Sequence, residues 1–184
     1  MAPPTADPSD PADEDAFTPS TDELVANNAR YMETFSDAGL GLVPRRHLAV
    51  VTCMDSRMDI FEMLGLGHGE AHIIRNAGGV VTDDVIRSLV LSQRLLRTKE
   101  ILLIHHSDCG MQKITEDVFK ATLEAEVGIR PSWALESFAD PYADVRQSMG
   151  RLHNSPFVMY KDHIRGFVYE VANGQLVEVV DPRG

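Results

Sequence analysis

Cysteine is almost absent from this chain: Cys53 and Cys109 are its only two among 184 residues. With no basic stretch followed by an apolar one near the N-terminus, no secretory leader is expected. Two thiols so far apart then read as reduced, and either buried, catalytic or metal-bound, in a cytoplasmic protein rather than a disulfide scaffold. Long apolar runs are missing as well. None approaches the roughly 20 residues a membrane-spanning helix needs, so no membrane partner is expected. Basic residues are also scarce, 17 Lys and Arg against 28 Asp and Glu, for a net charge of −11. The first 29 residues hold seven acids and no Lys or Arg, and subtracting those seven leaves −4 for the rest. That balance excludes a nucleic-acid or anionic-membrane surface as the working face.

The remaining composition, 43% hydrophobic and 24% charged, is that of an ordinary globular domain. Residues 1–19 contain five of the ten prolines with Asp, Ser, Thr and Ala, and read as a disordered acidic arm unable to bury enough apolar surface to order itself. Residues 20–184 are expected to form one domain. Ser20-Thr21-Asp22-Glu23 has the pattern of a capping box, and opens a helix with Leu24, Tyr31, Met32 and Phe35 at helical spacing that Gly39 ends. No strand precedes this helix, so its apolar stripe is assigned to a partner subunit.

Two short apolar runs end in chemically unusual residues. Leu48-Ala49-Val50-Val51-Thr52 reads as a buried strand and runs into Cys53-Met54-Asp55-Ser56-Arg57; Ile101-Leu102-Leu103-Ile104 runs into His105-His106-Ser107-Asp108-Cys109-Gly110. In an open α/β sheet, neighbouring parallel strands bring their carboxyl ends to one crevice, where ligands bind. Cys53, His106 and Cys109 would then meet as three soft or borderline donors, the count of a zinc site with a fourth position open. By the pleat, His105 faces away from His106 and reads as packing or support. Between the runs lie a short helix at Asp59–Leu64, a strand at Ala71–Arg75, the turn Asn76-Ala77-Gly78-Gly79 and a helix capped by Thr82. Beyond them, Lys113–Val127 reads as a helix, Pro131–Pro141 as irregular, Tyr142–Leu152 as a helix and Phe157–Tyr160 as a short strand. Asn173-Gly174 between two alternating runs signals an antiparallel hairpin at the sheet edge.

Cys-x-Asp-Ser-Arg from Cys53, Ile-Arg-Asn-Ala-Gly-Gly from Ile74 and His-x-x-Cys-Gly from His106 resemble, in order and spacing, the β-class carbonic anhydrases, over about residues 20 to 180. The resemblance implies an α/β fold: a mostly parallel open sheet with helices on both faces and an antiparallel edge strand. It also implies one Zn2+ per chain held by Cys53, His106 and Cys109, a dyad of Asp55 and Arg57 beside it, and a homodimer or multiple of dimers. The activity implied is reversible hydration of carbon dioxide to bicarbonate and a proton by zinc-bound hydroxide. Gly78, Gly79 and Gly110 are expected to line the substrate pocket. In some members the motif aspartate, here Asp55, closes the site as a fourth ligand, and some relatives hydrolyse carbonyl sulfide or carbon disulfide on the same zinc ligands. The glutamine that lines the pocket in some members has no match here. Two other readings remain open: a non-catalytic zinc assembly module with Asp55 as permanent ligand, and a thiol redox protein using Cys53 and Cys109. The latter lacks Cys-x-x-Cys spacing and leaves His106, Asp55 and Arg57 without a role.

Overall fold

The computed structural model describes residues 18–180, in two units divided after Leu40. The acidic arm read over residues 1–19 lies, up to residue 17, outside the described residues. The first unit carries helix α1, Thr21–Glu33, whose residues are all unburied; Leu24, Val25, Tyr31 and Met32 are exposed, as is Phe35 just beyond it. Ser20 sits at the N-cap position but its side chain makes no capping bond. The helix stops at Glu33 rather than near Gly39, which closes a separate 3-10 turn, Asp37–Gly39.

The second unit is built on a five-stranded sheet. Its strands are β1 (Leu48–Cys53), β2 (Ala71–Asn76), β3 (Glu100–His106), β4 (Ile164–Glu170) and β5 (Gln175–Val179), in the order β2-β1-β3-β4-β5. The first four run parallel, and β5 returns antiparallel beside β4 with Glu170 opposite Gln175 across the Asn173-Gly174 turn. Central β1 is buried at every residue, as β-branched residues with neighbours on both sides should be; Val50 pairs with Ile73 and Leu102.

Alternation along the strands divides two apolar layers. Ala49, Val51, Ile101 and Leu103 meet Val85 and Leu89 of α3 (Asp83–Leu96) and Val145, Met149 and Leu152 of α5 (Pro141–Asn154). Val50 and Ile104 meet Ile60 of the short α2 (Ile60–Leu64), together with Met58 and Met111. Capping positions α2 and α3: the Glu62 amide donates to Asp59, and the Val85 amide to the Thr82 hydroxyl. Helix α5 lies so close to β4 that a methyl at Gly166 would fall 2.2 Å from Val145 Cγ1.

Two segments depart from the sequence reading. Lys113 closes a 3-10 turn, Gly110–Gln112, and α4 begins only at Glu116, running to Val127 before Gly128. Phe157–Tyr160 is irregular rather than a strand. Gln93 takes the place of a neighbouring strand there: its Oε1 accepts from the Met159 and Tyr160 amides and its Nε2 donates to the Tyr160 carbonyl. No helix among the described residues is long and apolar enough to cross a membrane.

Candidate metal centre

The sheet order places β1 between β2 and β3, so the chain passes one way from β1 to β2 and back across β1 to β3, and the carboxyl ends of β1 and β3 form the switch point at which open α/β sheets bind ligands. Cys53 is the last residue of β1 and His106 the last of β3. Cys109 lies three residues further, its amide held by Gln112 Oε1 at 3.0 Å while Gln112 Nε2 donates to the Ala139 carbonyl. Cys53 is 4% exposed, His106 0% and Cys109 2%, and their three ligand atoms lie within 4.8 Å of one another.

The histidine is oriented by its far nitrogen. His106 Nδ1–H donates to the Ser107 carbonyl at 2.9 Å, which leaves the Nε2 lone pair facing the sulfurs; Nε2 is buried without a hydrogen-bond partner. An orphaned buried acceptor beside two thiols is costly unless a cation fills the gap. Ionisation gives the same answer. The hydrogen bond from Cys109, working against burial, pushes the Cys53 pKa down, while the resulting thiolate and burial both push Cys109 up. Without a cation the pair carries one negative charge; a divalent soft metal lets both sulfurs ionise. For His106, burial disfavours protonation, but the adjacent Cys53 thiolate outweighs it and raises the pKa. The donor set therefore fits zinc.

Asp55 and Arg57 stand at the mouth. Asp55 Oδ1 accepts from the Arg57 amide at 2.9 Å and from Nε at 3.0 Å, and Oδ2 accepts from Nη2 at 2.8 Å, a forked pair. Asp55 Oδ2 lies 3.7 Å from His106 Nε2. The Arg57 hydrogen bonds hold the Asp55 carboxyl well below the usual carboxylate range and raise Arg57 in turn. Asp59, rather than Asp55, caps the following helix, so Asp-Ser-Arg is not simply a helix start.

The three glycines differ. Gly79, at φ +72, is pressed against the metal strand: a Cβ would sit 2.8 Å from the Cys53 amide nitrogen. Gly78, at φ +82, would put a Cβ 3.0 Å from Met111 Cγ and 3.1 Å from Phe138 Cε1, so only a bare backbone lets those side chains pack onto the turn. Gly110 has open space where a Cβ would be. His105 turns the other way, with Nε2 2.7 Å from Asp144 Oδ2 on α5. His72 is also away from the site, with Nδ1 2.8 Å from Ser92 Oγ.

The family model described as carbonic anhydrase matches residues 48–148, from the first residue of β1 into α5, and so spans both loops that bring the three donors together. The chain belongs to the β-carbonic anhydrase family. It is 54% identical to β-carbonic anhydrase 1 of Mycobacterium tuberculosis over 159 residues, 86% of this chain and 97% of that one. Among solved structures, the carbonic anhydrase of Streptococcus mutans superimposes with a TM-score of 0.83 at 40% identity, covering 89% of this chain and 99% of the other. A carbon disulfide hydrolase of Saccharolobus solfataricus is 35% identical over 84% of this chain and 88% of its own length. Zinc dependence is a property of the β-carbonic anhydrase family, and among the described residues Cys53, His106 and Cys109 form a group that could hold a metal.

Two residues of this β-carbonic anhydrase site escape a reading by residue type. Arg75, on edge strand β2, donates Nε to the Cys53 carbonyl at 2.8 Å, Nη1 to Met58 at 3.1 Å and Nη2 to Asp55 at 2.6 Å, and thereby fixes the whole motif loop. Its place in Ile-Arg-Asn-Ala-Gly-Gly was the available signal. Asp108, between His106 and Cys109, reaches Arg57 and Lys113.

Proposed function

We propose that the protein catalyses the reversible hydration of carbon dioxide, with one zinc per chain held by Cys53, His106 and Cys109. The observation that carries this is the orphaned His106 Nε2 facing two sulfurs, with the carboxylate of Asp55, already paired to Arg57, 3.7 Å away. When bound, zinc supplies Lewis acidity that makes a hydroxide nucleophile available near neutral pH. Each neighbouring residue then has a definite task. Asp55 Oδ2, kept ionised by Arg57, would accept a hydrogen bond from the nucleophile and orient it. Met111 and Phe138, packed against Gly78 in the same apolar layer as Cys53 and Cys109, back the site with apolar surface. Arg75 holds the carbonyls of Cys53, Asp55 and Met58, which keeps the carboxylate and the thiolate in fixed relation.

The greater likeness to a carbonic anhydrase, 54% identity against 35% to the carbon disulfide hydrolase, favours carbon dioxide as substrate. Both thiols are free, which fits a cytoplasmic setting where reduced metal-binding cysteines persist. We further propose a homodimer, because the apolar stripe of α1 is uncovered and the second unit carries its own apolar groove, about 880 Å³, lined by Ile86, Val90, Leu91 and Phe157. The test is metal analysis joined to stopped-flow hydration of carbon dioxide, with hydrolysis of carbon disulfide measured in parallel. Stoichiometric zinc and hydration in the parent, both lost in Cys109→Ser, are expected. Full zinc content in that variant, or hydrolysis of carbon disulfide without hydration, would count against the reading.

A further inference from the structure

Arg57 has two acidic partners, and only one of them belongs to the dyad. Its Nε and Nη2 fork onto Asp55, while Nη1 donates to Asp108 Oδ2 at 3.0 Å and Nη2 also donates to the Asp108 carbonyl at 3.0 Å. Asp108 is held in turn from its far side, where Oδ1 lies 2.9 Å from Lys113 Nζ. Its backbone stands at φ +53, a left-handed conformation in which Asp and Asn are among the few side chains at ease. That single residue turns the chain between His106 and Cys109 and points its carboxylate back across the crevice.

We propose that Asp108 is a positioning residue for catalysis, acting through Arg57 to keep Asp55 directed at the nucleophile and away from the metal. The inference rests on the zinc hydratase reading above. Arg57 is 45% exposed at its side chain, and a guanidinium on a long stem at a surface has many rotamers available. A fork onto Asp55 alone leaves the plane free to swing with its partner, carrying the carboxylate toward the metal position. The second attachment, on a loop that begins on a different strand, fixes the plane from outside. Asp55 then meets an arginine that does not move, and the loops after β1 and β3 are joined by one side chain. Lys113 completes the row by fixing the carboxylate that fixes Arg57.

The experiment is a double-mutant cycle on the full-length zinc protein: parent, Asp108→Asn, Arg57→Ala and the combination, with Asp108→Gly as a second probe because both Asn and Gly tolerate the left-handed backbone. Zinc content, kcat and KM for carbon dioxide hydration, and the visible spectrum of the cobalt-substituted proteins are read for each. Zinc should be retained in Asp108→Asn, with kcat lower by about two- to fivefold, the size an exposed charge pair supports. Its cobalt bands should shift in the same sense as those of Arg57→Ala, reporting Asp55 at the metal. In the combined variant, the loss should equal that of Arg57→Ala alone. Independent, multiplying losses, or a cobalt spectrum unchanged from the parent in both Asp108 variants, would overturn the assignment while leaving the hydratase reading intact. A parent without zinc or hydration activity overturns that reading and this assignment with it.

Discussion

Replacing Gly79 by Ala is the most direct way to test whether the turn after β2 shapes the metal strand. The backbone at this position has φ +72, where an L side chain is strained by about 1–2 kcal/mol. Strain is the smaller part. The added methyl would lie 2.8 Å from both the Cys53 nitrogen and the Thr52 carbonyl carbon and 3.1 Å from Thr52 Cα. These are backbone atoms of a central strand that is buried along its whole length and paired on both sides, so they have little freedom to retreat. Overpacking of this kind adds about 1–3 kcal/mol. The total, about 2–5 kcal/mol, is a large share of the roughly 5–15 kcal/mol that holds a domain folded. Urea unfolding should show a lower midpoint at unchanged slope, and zinc occupancy should fall because the displaced amide carries Cys53. Gly110→Ala is the matched control: nothing lies within 4 Å of its Cβ, so stability should stay within about 0.5 kcal/mol of the parent. A Gly79→Ala protein as stable and as rich in zinc as the parent would refute the reasoning.

Arg57→Ala should retain zinc but lose hydration activity at neutral pH, since Asp55 loses the partner that holds it; parental activity across the pH range would remove the dyad from the mechanism. Arg75→Met removes three hydrogen bonds to loop carbonyls, of which that of Asp55 keeps another donor, the Met58 amide, and should lower stability by about 2 kcal/mol, read by urea unfolding, and weaken zinc retention; an unchanged midpoint would contradict the clamp. Acid should destabilise the fold: the Gly67 amide, Lys120 and Arg165 lower the pKa values of Glu70, Glu116 and Glu178 respectively, so their contribution is present above the unfolded carboxylate range and is lost as pH falls through it and below. Unfolding midpoints that hold steady or rise on acidification would reverse that sign. Charging the α1 stripe with Met32→Glu should yield a monomer by analytical ultracentrifugation, and an unaltered mass would dismiss that helix as the dimer contact.

Where the sequence was readable, the reason was period and strand polarity. The apolar runs before Cys53 and His105 are short, β-branched and bounded by polar residues, and a parallel arrangement gathers the loops beyond their C-terminal ends at one edge of the sheet. The pleat also separated His105 from His106, and the structure sends the first to Asp144 and the second toward the sulfurs. Signals carried by side chains substituting for backbone were not readable in the same way. Phe157–Tyr160 has a strand's composition, yet Gln93, far away in sequence, supplies its hydrogen bonds. Ser20 has a cap's identity without making the bond.

Arg75 and Asp108 show why ligand types are legible and their supports are not. A cysteine or histidine at a strand end is rare enough to draw attention by identity alone, whereas an arginine on an edge strand and an aspartate in a loop are what any surface would carry. Their roles arise from reach. Arg75 spans from β2 to three carbonyls of the loop after β1, and Asp108 spans from the loop after β3 to Arg57 on the same β1 loop. Both contacts converge on the segment Cys53–Arg57, from opposite neighbours of the strand that precedes it. The Cys53 thiol and the Asp55 carboxylate, proposed as metal ligand and catalytic group, lie only two residues apart and cannot be placed independently by a single short loop. Anchoring that loop from β2 and from the β3 side removes the freedom that local sequence leaves, so substitutions at Arg75 and Asp108 should disturb Asp55 before they disturb the metal.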